Sequence, residues 1–134
     1  MANNLTGQCL CGSVSFQCPD EFLYGAFCHC RDCQRATGGF YGVFVGIEMK
    51  KLKWISGESS LRRFEKSQDT IKHFCQHCGV GLIAQKPQLD LVHIPYGLFD
   101  NAPSQKPQVH LFTTRLHNYH CIEDELPQYK EGLV

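Results

Sequence analysis

Apolar and polar residues alternate most regularly just after residue 12. Val14, Phe16 and Cys18 fall on one side of an extended chain and Ser13, Ser15 and Gln17 on the other, until Pro19-Asp20 ends the run. This predicts a strand with one buried face. Residues 23–27 read as a second short strand, and residues 40–47, apolar, aromatic and β-branched, as a third. Residues 52–56 and 61–65 read as the arms of a hairpin around Gly57-Glu58-Ser59-Ser60. Further strands are predicted over 71–74, 82–84, 89–94 and 109–112, with a loop over 95–107. Only residues 32–37, stopped by Gly38-Gly39, and residues 121–126, before Pro127, predict helical turns. Short strands, frequent turns and no sustained 3.6-residue period predict a mainly β chain, one domain over residues 1–134.

Cysteine changes the picture. Nine cysteines in 134 residues need an explanation. A disulfide framework is disfavoured by the odd count and the tight spacing, and by a start, Met1 to Asn4, without basic or apolar leader character. The cysteines group as Cys9/Cys11, Cys28/Cys30/Cys33 and Cys75/Cys78, the spacings of metal knuckles. Cys18 and Cys121 stand apart and read as small buried apolar residues. Glycine follows the second cysteine in both Cys9-Leu10-Cys11-Gly12 and Cys75-Gln76-His77-Cys78-Gly79. A backbone folded around sulfur needs a residue tolerant of positive φ at that point. Those two knuckles therefore predict a closed four-cysteine site for a structural ion.

Subtraction leaves the triad. In an extended segment Cys28 and Cys30 leave one face and His29 the other, and an i, i+3 relation returns Cys33 beside Cys30. Three thiolates fill three corners of a zinc tetrahedron. The fourth corner is either open, the pattern of catalytic zinc, or closed by His93, His110, His117 or His120; His29 and His77 are expected to point away. A thioredoxin-like redox reading of Cys30-Arg31-Asp32-Cys33 lacks the βαβ setting that chemistry expects.

Charge excludes more than it assigns. Lys+Arg and Asp+Glu balance at 13 each, so no global field attracts nucleic acid or anionic lipid. No apolar run approaches membrane-spanning length. The expectation is a soluble, cytoplasmic chain with no nucleic-acid or membrane partner and an undetermined oligomeric state.

The ordered set Gly-x-Cys-x-Cys-Gly, Cys-His-Cys-x-x-Cys and Cys-x-x-Cys-Gly resembles the glutathione-dependent formaldehyde-activating enzymes, a family that includes the domain of centromere protein V. The resemblance runs from about Gly7 to Gly132. It takes in Arg35-Ala36-Thr37-Gly38, Pro107-Gln108-Val109-His110 and Asp124-Glu125-Leu126-Pro127. It departs at Tyr119, where relatives often carry tryptophan. It implies a β-tent fold of several small coiled sheets with two zinc ions. It also implies that Cys9, Cys11, Cys75 and Cys78 hold the structural ion and Cys28, Cys30 and Cys33 the catalytic one. The implied reaction is that of a carbon–sulfur lyase, joining the glutathione thiol to formaldehyde as S-hydroxymethylglutathione, with a related thiol and aldehyde as variants. Glutathione carries two carboxylates, so Arg31, Arg35 and the backbone N–H groups of Thr37, Gly38 and Gly39 are its candidate contacts. The alternative is a zinc-stabilised binding module without catalysis.

Overall fold

The computed structural model describes residues 3–132; Met1 and Ala2, part of the start examined above for a leader, lie outside that range. Among the described residues ten strands form two sheets. The smaller has the order β1 (Asn4–Gln8), β2 (Ser15–Pro19), β5 (Lys53–Ser56), all antiparallel. The larger contains β3 (Tyr24–Cys28), β4 (Gly42–Glu48), β6 (Leu61–Ser67), β7 (Thr70–Cys75), β8 (Gly81–Lys86), β9 (Leu91–Pro95) and β10 (Val109–Leu111). Its order is β10-β3-β4-β9-β8-β7-β6, antiparallel except for the β10–β3 pair. Among the described residues one α-helix, α1 (Arg31–Thr37), joins β3 to β4. The mainly β expectation holds.

The core lies where the sheets meet. Val14, Phe16 and Cys18 are buried as their alternation predicts, against Val45 and Ile47 of β4, Leu82 and Ile83 of β8, and Val92 and Ile94 of β9. Phe16 presents an edge to Phe99 at 5.5 Å and to Trp54 at 6.4 Å between ring centroids, the geometry that aromatic quadrupoles favour.

Two expectations need correction, and one strand is added. Residues 52–56 and 61–65 are not hairpin arms: β5 pairs with β2 and β6 with β7, so the chain changes sheets between them. Residues 4–8 form a strand, β1, that was not among those predicted. Gly7 sits there because the Phe16 ring of β2 occupies the space a side chain would take. Residues 121–126 hold no helix; Asp124 instead turns back to accept the Leu126 N–H at 3.0 Å.

Gly57 makes the sheet change possible. Its φ is +77°, and a Cβ there would overlap the Ser13 carbonyl oxygen. Gly57→Ala is expected to cost about 2 kcal/mol or more, from the left-handed backbone and that overlap together. Urea unfolding of the metal-loaded protein measures it; a loss under about 0.5 kcal/mol, the size of an ordinary surface change, would show that the corner relaxes freely.

Candidate metal centres

Two related knuckles build the first centre. In one, the Cys9 N–H donates to Val14 O (3.1 Å), the Gly12 N–H to Cys9 O (3.2 Å) and the Val14 N–H to Cys9 Sγ (3.4 Å). The other has the same first bond, the Cys75 N–H to Val80 O (3.0 Å), but its glycine donor lies one residue further on, the Gly79 N–H to Cys75 O (2.8 Å), and its sulfur accepts from nearer by, the His77 N–H to Cys75 Sγ (3.3 Å). Gly12 and Gly79 have φ of +79° and +77°, the conformation their placement after cysteine implies. The sulfurs of Cys9, Cys11, Cys75 and Cys78 all lie within 4.8 Å of one another, with Cys9–Cys11 and Cys11–Cys75 both at 3.8 Å. A tetrahedron with Zn–S bonds of about 2.3 Å has edges of about 3.8 Å, so these residues fit a zinc ion. Backbone N–H groups of Val80 and Cys11 push the Cys78 thiol down to about 6, which favours the thiolate a metal needs.

The triad is the second centre. Cys28 ends β3 and Cys30 caps α1, its sulfur accepting the Cys33 N–H at 3.3 Å, and the three sulfurs again lie within 4.8 Å of one another. Hydrogen bonds with Cys28 and Cys33 hold the Cys30 thiol well below its ordinary range; the bond with Cys30 pushes the Cys28 thiol up, and bonds with Cys28 and then Cys30 push the Cys33 thiol up. The set is ready to present soft anionic sulfur, as zinc requires. Among the described residues no histidine, aspartate or glutamate joins this group.

The chain matches the sequence profile described as glutathione-dependent formaldehyde-activating enzyme over residues 4–115. It belongs to that family. No curated protein matches it in sequence. A crystal structure of a Rhodobacter sphaeroides protein shares the fold, with a TM-score of 0.61 at 18% identity, covering 74% of this chain and 91% of that one.

In this member of the formaldehyde-activating family the residues around the triad do more than sequence suggested. His29 is fully buried and turned to His110, with Nε2 to Nδ1 at 2.8 Å, and His110 Nε2 lies 2.9 Å from the Asp124 carboxylate. Asp124 accepts, so His110 carries its proton on Nε2 and His29 donates from its own Nε2. That leaves His29 Nδ1 a bare lone pair, buried without a partner. The His110 bond holds the Asp124 carboxyl below its usual range. Phe27 stacks on His110 at 4.6 Å. Gln34 of α1, also buried, donates to both His29 O (2.8 Å) and Arg115 O (2.9 Å). His29, His110, Asp124 and Gln34 thus lock the knuckle from behind. Sequence had His29 turned away from the ligands and His110 as a possible fourth ligand, and the resemblance took in His110 and Asp124; nothing marked Gln34.

The remaining candidates have other engagements. Arg31 bonds the Gln34 side chain, and Arg35 is exposed. The Gly38 N–H donates to Gln34 O at 2.8 Å and the Gly39 N–H to Thr37 Oγ1 at 3.1 Å, so the helix end consumes these amides. Cys18 is buried, as expected; Cys121 is exposed, which corrects its reading as a buried residue. Tyr119 is exposed. Among the described residues no helix is long and apolar enough to cross a membrane.

His93 sits across β4 from Tyr24, stacked on Phe44 at 4.2 Å and bonded through Nε2 to the Tyr24 hydroxyl at 2.5 Å. Burial, with Lys86 and Lys72 adding repulsion, pushes it down from 6.5 to about 4. The unfolded chain therefore binds the extra proton between those values. The resulting stability, at most about 3 kcal/mol, is fully present above about pH 6.5 and lost as pH falls towards 4. His93→Gln is expected to flatten this slope relative to the parent in pH-dependent unfolding; parallel slopes would show that other groups carry it.

Proposed function

We propose that the chain is a zinc-dependent carbon–sulfur lyase that condenses a small thiol, glutathione or a relative, with formaldehyde or a related aldehyde. The observation that carries this reading is the convergence of Cys28, Cys30 and Cys33 without a fourth side-chain ligand among the described residues, in a chain of this family. Zinc held by those three cysteines would lower the pKa of an arriving thiol while remaining, with three thiolates, too electron-rich to favour a carbonyl oxygen.

The balance is simple. The substrate sulfur loses its proton, its electron pair forms the C–S bond, and the carbonyl π pair moves to oxygen, which takes up a proton. The chain's own residues hold the geometry for this. Cys30 fixes the first turn of α1, and Gln34 ties that helix to the backbone of His29. The His29–His110–Asp124 line keeps the Cys28–Cys30 segment from turning. Thr37, Gly38 and Gly39 close the helix, and the exposed guanidinium of Arg35 stays available to a substrate carboxylate.

The test combines metal content with rate. The protein is expected to carry two zinc ions per chain, and to accelerate formation of S-hydroxymethylglutathione, followed by NMR, beyond the protein-free rate. A chain that holds both ions yet leaves that rate unchanged would sink the proposal.

A further inference from the structure

Four strands form the edges of the two sheets, and they are not equally covered. The Thr6 carbonyl of β1 accepts the Asp100 N–H at 2.9 Å, and Gly7 bridges to Phe99. Beside β10 the His110 N–H donates to Pro127 O at 2.9 Å and the Tyr129 N–H to His110 O at 2.8 Å. β5 is four residues long, and Gly57 turns the chain away at its end. β6 runs for seven residues, is exposed at all but its first, and among the described residues has no strand on its outer side. An uncovered edge of that length is a template for another chain.

Register decides which groups this edge offers. The Gln76 N–H donates to Ser60 O at 2.9 Å, and residues 61–65 continue opposite 75–71. Rungs alternate along an antiparallel pair, so residues 62 and 64 turn their N–H and C=O groups to β7, while Leu61, Arg63 and Glu65 turn theirs outward. Arg62 folds along its own strand onto Ser59 O (3.3 Å) and Leu61 O (3.0 Å), which fills one of those outward carbonyls. A bulge between Glu65 and Ser67 ends the regular edge. What stays free is the stretch from Arg63 to Glu65. Its two outward residues carry opposite charges, 3.1 Å apart, and flank Phe64, whose side chain is exposed.

This stretch matches itself. Laid antiparallel on a second copy about a two-fold axis at Phe64, Arg63 faces Glu65 of the second copy and Glu65 faces its Arg63. Each pair exchanges two backbone hydrogen bonds, four in all. The side chains of both pairs meet on one face as opposite charges, and the two Phe64 rings meet on the other in the closer, non-hydrogen-bonded position. The same register sets Arg62 opposite Lys66, but Arg62 is held to its own strand and Lys66 to Asp32 at 2.7 Å. A slip of two residues either way sets Arg63 against Arg63 or Glu65 against Glu65, so charge selects one register.

We propose that β6 is a self-association edge, where two copies of the chain pair antiparallel through residues 63–65 and join their seven-stranded sheets into one.

Sedimentation velocity on the zinc-loaded protein, from about 1 µM to about 1 mM, tests this. The contact is small, so a reversible monomer–dimer equilibrium is expected. Arg63→Glu and Glu65→Arg each make both charged pairs repulsive, and each is expected to weaken the dimer about tenfold or more. Mixed in equal amounts, the two variants should associate with each other, because every pair is again arginine against glutamate. The double variant R63E/E65R should recover the parent's dimer for the same reason. Both positions are exposed, so melting temperatures within a few degrees of the parent are expected and are checked by circular dichroism. A parent protein that stays monomeric throughout the range would overturn the proposal. A dimer indifferent to the single reversals, or single variants that fail to associate on mixing, would place any association on another face and overturn it too.

Discussion

Cys78→Ser is expected to leave a chain with no cooperative unfolding transition at neutral pH. Its sulfur belongs to a centre that joins two knuckles, Cys11 and Cys75 being 64 positions apart in the chain. That centre is also part of the core: Cys9 and Cys75 are buried within it and Cys78 packs against it, beside Val14 and Leu82. A structural zinc contributes on the order of 10–16 kcal/mol to folding at neutral pH, as much as or more than the roughly 5–15 kcal/mol by which a domain is stable. Serine cannot replace the thiolate, and without its ion the site sets three thiols and a hydroxyl against one another in the junction between sheets. Circular dichroism melts and zinc content check this together. A variant that melts cooperatively within a few degrees of the parent would show that the hydrophobic core suffices and that the four-cysteine ion is dispensable.

Both centres were legible in the sequence because their ligands are local, and a knuckle's conformation is fixed by residues that touch it. Gly12 and Gly79 announce the closed site; Cys28, Cys30 and Cys33 lack that glycine and stand apart. The strands were legible where one face is buried, as in Val14, Phe16 and Cys18. The strand over 61–65 was predicted as well, but not its partner: β6 is exposed along nearly all its length, so its hairpin with β7 left no alternation to read. Which sheet a strand joins is not written in its own pattern, and β5 looks the same whether its partner is β6 or β2. The line from His29 to His110 to Asp124 spans separations of 81 and 14 positions. Long-range geometry of that kind has no short-range signature.

Cys30→Ser should do the opposite of Cys78→Ser and remove chemistry while sparing the fold. Cys30 has two jobs, and serine keeps one of them. As the N-cap of α1 its side chain accepts the Cys33 N–H, and serine is among the best residues for that position. The buried bonds of His29 and Gln34 that hold the segment do not involve Cys30 at all. What serine removes is one of three soft donors, and two remaining thiolates leave too few ligands for a tight zinc site. The expected result is a melting temperature within a few degrees of the parent and zinc content reduced from two ions per chain to one. Formation of S-hydroxymethylglutathione should fall to the protein-free rate. Cys30→Ala, which also loses the cap, should give the same chemical result at an added cost of about 1 kcal/mol. Should the serine variant instead unfold as Cys78→Ser does, the triad would be a second structural staple. Should it remain active, Cys30 would not hold the reacting centre. Only a folded, singly loaded and inert variant fits a triad whose purpose is to receive a substrate's sulfur.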